Sequence, residues 1–270
     1  MKSVKLFFGT ILSLFAILYL IYISYIYLNQ AEMIFQSTKL NADYKFKFKE
    51  NFEELNIPSF DSKKINGLLF KTPNSKGLVF YLHGNAGMLD TWGNNAKIYT
   101  DLGYDFFILD YRGFGKSEGE IESETQVTKD VQIVYDELSK RCDSSKIIIV
   151  GYSIGTGVAT FLASKVKSKA LILQAPFYNF IDFTESRVPF YPNFLKKFNF
   201  ETNLNIRKVK SPIYIFHGKE DKLIPIENSQ KLKKLLKPND QFFELKNQDH
   251  IGINENSKFQ EKLKCILSNL

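Results

Sequence analysis

The alternation of apolar and polar positions changes character at about residue 30. No charged residue occurs from Leu6 to Leu28. At about 1.5 Å per helical residue, such a run crosses a hydrocarbon core of about 30 Å, and it predicts a transmembrane helix. A removable signal would instead show an apolar region of about 7–15 residues and a small-residue cleavage site. A cut after Ala31 would put Asn29 where the small residue is needed. The expected organisation is an anchor over residues 1–30, with about 6–28 in the membrane, and one domain over residues 31–270. Tyr19, Tyr22, Tyr25 and Tyr27 crowd the C-terminal half of the span, where a helix meets the headgroups, although some lie deep for that role.

A polar, extended approach segment follows, and then short apolar runs alternate with stretches of helical periodicity. Strands are predicted at 67–71, 77–82, 105–110, 146–150, 170–174, 213–217 and 241–245. Most are continuous apolar runs, the mark of strands buried on both faces of a mainly parallel sheet. Val127, Val131, Val134, Tyr135 and Leu138 recur at helical spacing, with Ser123 and Gln126 placed as a capping box. A second helix, lightened by Gly155, Gly157, Ala159 and Ala163, follows Ser153, and a last one lies near 258–267. The fold class is therefore α/β, a mostly parallel sheet with helices on both faces. Residues 176–206 carry Phe177, Tyr178, Phe180, Phe183, Phe190, Tyr191, Phe194, Phe198 and Phe200. These rings either complete the core or form a small lid over an apolar acyl pocket.

Composition narrows the partners. A chain of 270 residues with 44% hydrophobic content can build one sizeable core. The formal charge of +7 comes from lysines scattered along the chain without a nucleic-acid motif, so a solvated basic surface is expected and no nucleic-acid partner. Cys142 and Cys265 make neither a disulfide framework nor a zinc pattern, and no metal or organic cofactor is expected. Lys2 and Lys5 precede the span and Lys39, Lys45, Lys47 and Lys49 follow it, so the positive-inside rule is nearly balanced. A short basic N-terminus before one span in a bacterium most often leaves the domain outside the cytoplasm, and that side is expected here.

The chemistry centres on GYSIG. A nucleophile on a sharp strand-to-helix turn needs small residues two before and two after it, and Gly151 and Gly155 flank Ser153 with Tyr152 between. A serine hydroxyl needs a base, and the base an orienting acid. Of the three histidines, His83, His217 and His250, only His250 follows its acid in the order this arrangement uses. Asp221 in HGKED is favoured as the acid over Glu220, with Asp249 as a competitor; Asp110 is expected to brace the arginine turn after it. The oxyanion donors are expected to be the backbone N–H groups of Ile154 and of Asn85 in HGNAG.

Taken together, LHGNAG, DYRGFGKSEG, GYSIGTG, APF, HGKED and His250 resemble the membrane-anchored branch of the α/β-hydrolase family, the bud-emergence-type abhydrolase-domain proteins, whose relatives include protein depalmitoylases. The resemblance runs in order from about Phe60 to the C-terminus. It implies a serine hydrolase with Ser153, Asp221 and His250 as its triad, Asn85 and Ile154 as oxyanion donors, and Arg112 as an anchor of its loop. QDHIG differs from the family, which often has glycine before the histidine. The expected reaction is hydrolysis of an acyl ester or thioester through an acyl-enzyme, rising with pH through about 6–7 as a reference histidine becomes neutral. The competing readings are an aminopeptidase-type amide hydrolase, which needs an acidic group for the substrate amine, and a membrane-anchored scaffold without turnover, which would be marked by a missing triad member.

Overall fold

The computed structural model describes residues 2–185 and 187–270. Helix α1, Lys2–Ile34, is 33 residues long and apolar enough to cross a membrane. It continues four residues beyond the predicted boundary because its last turns pack on the domain. Gln30 is buried there, and Ala31 and Ile34 lie against the core. The chain then forms β1, Gln36–Ser37, which pairs in parallel with β5, Ala86–Gly87.

The main sheet contains β2 (Phe52–Pro58), β3 (Lys64–Phe70), β4 (Leu78–Leu82), β6 (Asp105–Leu109), β7 (Ile147–Tyr152), β8 (Ala170–Gln174), β9 (Ile213–Gly218) and β10 (Gln241–Leu245). Its order is β10-β9-β8-β7-β4-β6-β3-β2. The β2–β3 and β3–β6 pairs are antiparallel and the others parallel. The seven predicted strands are all present within a few residues. Strand β2 was not predicted: it is a half-exposed edge whose sequence, FEELNIP, lacks a continuous apolar run.

Helices α2 (Leu89–Trp92), α3 (Ala96–Thr100), α4 (Glu124–Ser139), α5 (Ile154–Lys165), α6 (Phe180–Glu185), α7 (Thr202–Asn205), α8 (Glu227–Lys233) and α9 (Ser257–Asn269) connect or follow the strands. Alternate strand residues enter two separate cores. Leu78, Phe80 and Leu82 join Val131 of α4 and Val158 of α5 on one face, while Val79 and Tyr81 join Tyr99 of α3 and Leu263 of α9 on the other. The α4 cap is formed by Ser123, whose hydroxyl accepts from the Gln126 N–H at 3.3 Å. The reciprocal side-chain bond of a capping box is displaced by one residue, Gln126 accepting from the Glu122 N–H.

The aromatic segment divides by burial. Phe177, Phe180, Phe198 and Phe200 are core residues, whereas Phe190 and Phe194 are 88% and 86% exposed. The segment also grips α1. The hydroxyls of Tyr19 and Tyr22 donate to the carbonyls of Phe190 and Pro189, at 2.8 and 2.7 Å. The Gln30 amide donates to Tyr191 Oη and the Leu195 carbonyl and accepts from the Lys197 N–H. The deep tyrosines therefore have partners in the protein itself.

Candidate active site

Strand β7 ends and α5 begins around Ser153, whose φ of 53° and ψ of −120° are unusual for a residue with a side chain. Such a conformation costs about 1–3 kcal/mol and persists only where the surroundings impose it. Here they do. A Cβ on Gly155 would lie 2.2 Å from the Leu82 carbonyl oxygen, and one on Gly151 would lie 2.6 Å from that of Gly155. The turn is thus wedged between β4 and its own helix. The Ser153 N–H donates to the Gln174 carbonyl at 2.9 Å.

Ser153, Asp221 and His250 converge at the C-terminal ends of β7, β9 and β10, the edge at which ligands bind in open α/β sheets. His250 Nε2 lies 2.9 Å from Ser153 Oγ, and Nδ1 lies 2.7 Å from Asp221 Oδ2. An Nδ1–H donating to the carboxylate leaves the Nε2 lone pair facing the serine hydroxyl. The other Asp221 oxygen accepts from the N–H groups of Leu223 and Ile224 at 2.9 and 2.8 Å. Burial alone would raise the Asp221 pKa, but hydrogen bonds from His217 and His250 outweigh it and hold the carboxyl well below the usual range. The competing acids are elsewhere. Glu220 and Asp249 are exposed, and Asp249 accepts from the backbone N–H of His250 at 2.7 Å instead of meeting its ring. Tyr152 reaches the same loop by donating from its hydroxyl to the His250 carbonyl at 2.5 Å. The residue before the histidine, where the resembling family often has glycine, is Asp249, and Gln248 beside it donates from its amide to the carbonyls of Asp249 and Ile251.

Sequence order sets His217 aside as a base and reveals no role for it. The structure buries it beside Asp221: Nε2 donates to the Ile224 carbonyl at 2.7 Å and lies 3.2 Å from Asp221 Oδ2, while Nδ1 accepts from Ser229 Oγ at 2.6 Å. Its position four residues before Asp221 in HGKED is the one sequence signal that could have found it. Asp110 lies against the arginine turn, where a Cβ on Gly115 would be 1.9 Å from its Oδ2. Its carboxylate faces His83 at 3.5 Å and the Leu89 N–H at 3.4 Å, and burial raises its pKa. Arg112 is occupied by Asp130 and Asp61, with bonds of 2.5, 2.6 and 2.8 Å, inside the protein.

Ile154 is the first residue of α5, so its N–H has no acceptor within the helix. Ile154, Asn85 and Ser153 border one cavity of about 270 Å³. Phe177, Phe180, Phe183 and Phe198 line it, together with Ile26 and Met33 of α1. Arg187 and Lys196 supply its cations, and no carboxylate is among the described lining residues. The Asn85 loop is tied directly to the anchor's exit: its carbonyl accepts from the Gln36 N–H at 2.8 Å, and its side-chain amide donates to the Ile34 carbonyl at 3.2 Å. Among the described residues, no cluster of histidine, cysteine and carboxylates is arranged to hold a metal.

A sequence family described as "Serine aminopeptidase, S33" matches residues 73–205. The lysophosphatidylserine lipase ABHD12 of Macaca fascicularis is 32% identical over 198 residues, covering 64% of this chain and 48% of the lipase. The chain thus spans about half the length of that relative. Protein bem46 of Schizosaccharomyces pombe is 28% identical and covers 76% of this chain and 74% of its own length. Among solved structures, the Pyrococcus furiosus esterase Pf2001 superposes with a TM-score of 0.67 at 19% identity, covering 87% of this chain and 98% of the esterase. At that identity the likeness is one of fold. With the mostly parallel sheet and these relatives in view, the chain has the α/β-hydrolase fold and is similar to hydrolases of the abhydrolase-domain kind.

Proposed function

We propose that this protein is a membrane-anchored serine hydrolase that cleaves acyl esters or thioesters of lipid-like substrates. The observation that carries the reading is the continuous chain from Asp221 through His250 to Ser153, opening on an apolar cavity. His250 Nε2 removes the hydroxyl proton as Ser153 Oγ bonds to the acyl carbon. The resulting oxyanion accepts from the N–H groups of Ile154 and Asn85. The carbon–oxygen or carbon–sulfur bond then breaks, and His250 returns the proton to the leaving group. Water repeats the sequence, releasing the carboxylic acid and restoring Ser153. The similarity to ABHD12, a lysophosphatidylserine lipase, supports a lipid ester as the substrate class.

The aminopeptidase reading, suggested by the family description, needs a negative group for the substrate amine. Arg187 and Lys196 in the cavity lining favour an acyl ester instead. On this reading residues 1–30 anchor the protein, 176–206 form a lid, and the domain lies on the non-cytoplasmic side; protease accessibility in sealed vesicles tests that side. The catalytic assignment is tested with a fluorophosphonate probe. Ser153→Ala should abolish labelling and lower ester turnover by about 10⁴-fold or more. Equal labelling of variant and wild type would overturn it.

A further inference from the structure

The anchor does more in this structure than precede the domain. The lid residues Pro189 and Phe190 bond to Tyr22 and Tyr19, which lie six and nine residues before Leu28, the end of the uncharged run. At 1.5 Å per residue, those positions are about 9–14 Å inside that end. If the run spans a bilayer, the lid tip stands beside it within the hydrocarbon of one leaflet. The tip has the surface for that position: Phe190 and Phe194 are almost fully exposed, an arrangement that leaves two large rings in water if no lipid covers them. The Lys197 ammonium sits 4.3 Å from the Tyr27 ring centre, at the level where the uncharged run meets polar chain. The cavity leading to Ser153 lies between this lid and α1, and Ile26 and Met33 of the helix line it.

We propose that the lid tip inserts into the leaflet beside α1 and that the helix itself is a wall of the acyl channel, so the substrate is a bilayer lipid ester drawn sideways from that leaflet. This rests on the hydrolase reading above. A bilayer is favoured over a protein partner because the exposed rings are continuous with the apolar surface of the helix. Ile26 and Met33 are then specificity-determining residues, setting the chain length that fits between helix and lid.

The test uses the full-length protein in lipid vesicles. The indole introduced by Phe190→Trp should be quenched by lipids brominated on their acyl chains, beyond the quenching of Trp92 in the wild type. Lack of added quenching would overturn insertion. Met33→Trp and, separately, Ile26→Trp should lower the ratio of hexadecanoyl to acetyl ester turnover at least tenfold. The exposed Met33 position keeps this arm readable if the buried Ile26 variant fails to fold. An unchanged ratio in folded Met33→Trp would overturn the role of the helix as a wall. Labelling of the wild type by fluorophosphonate separates the two levels: labelling with an unmoved ratio defeats the channel alone, whereas no labelling defeats the hydrolase reading, and quenching still decides insertion.

Discussion

Ser153 keeps a strained backbone because two neighbouring backbones leave no room for any other arrangement. Gly155→Ala puts a methyl 2.2 Å from the Leu82 carbonyl oxygen, so the strand and helix must separate. The expected cost is about 1–3 kcal/mol, read as a lower thermal midpoint together with loss of probe labelling. His217 is a different kind of neighbour, a positioning residue that touches Asp221 and not the reacting atoms. His217→Leu removes one of the hydrogen bonds holding Asp221 ionised and strands Ser229 Oγ and the Ile224 carbonyl. We expect a loss of about 1–3 kcal/mol and a lower kcat, with the acid limb of the pH profile displaced. Because the Asp221 pKa is depressed in the folded protein, its contribution to stability is present above the unfolded value of about 3.9 and is lost as pH falls through and below it. Wild type should therefore lose thermal stability relative to Asp221→Asn below about pH 4, as calorimetry across pH would reveal.

At the scale of elements, the clearest sequence signals are those that local physics produces. Buried parallel strands must be apolar throughout, and the wedge at Ser153 must be flanked by small residues, so β4, β7, β9 and the elbow are legible directly. Chain order separates His250 from the other histidines. What sequence does not show is pairing between distant elements: β1 and β5 are two residues each, too short for any periodicity. The deep tyrosines are ambiguous for the same reason, since their hydroxyl partners lie more than 160 residues away. Gln30 is the strongest of these long-range ties. Gln30→Leu deletes its bonds to Tyr191, Leu195 and Lys197, and that segment should detach more readily from α1. The expected loss is about 1–3 kcal/mol, with faster proteolysis within 187–197 in detergent micelles as the measurement.

For the whole molecule, the junction between anchor and domain reaches the chemistry. The Gln36 N–H donates to the carbonyl of Asn85, in the loop assigned to the oxyanion. Gln36→Pro removes that donor, and we expect kcat to fall about tenfold while the protein stays in the membrane fraction. Loss of activity with full membrane retention separates this bracing role from simple tethering. The grip of Gln30, Tyr19 and Tyr22 on residues 189–197 has a mechanical consequence as well. A lone helix is a pivot: it fixes where a domain sits while leaving it free to spin about the helix axis. Bonds spread over several turns of α1 remove that spin, so one face of the domain is held toward the plane the helix enters. Encounter with anything confined to that plane is then a search in two dimensions, with the rotational part of the alignment already completed by the fold.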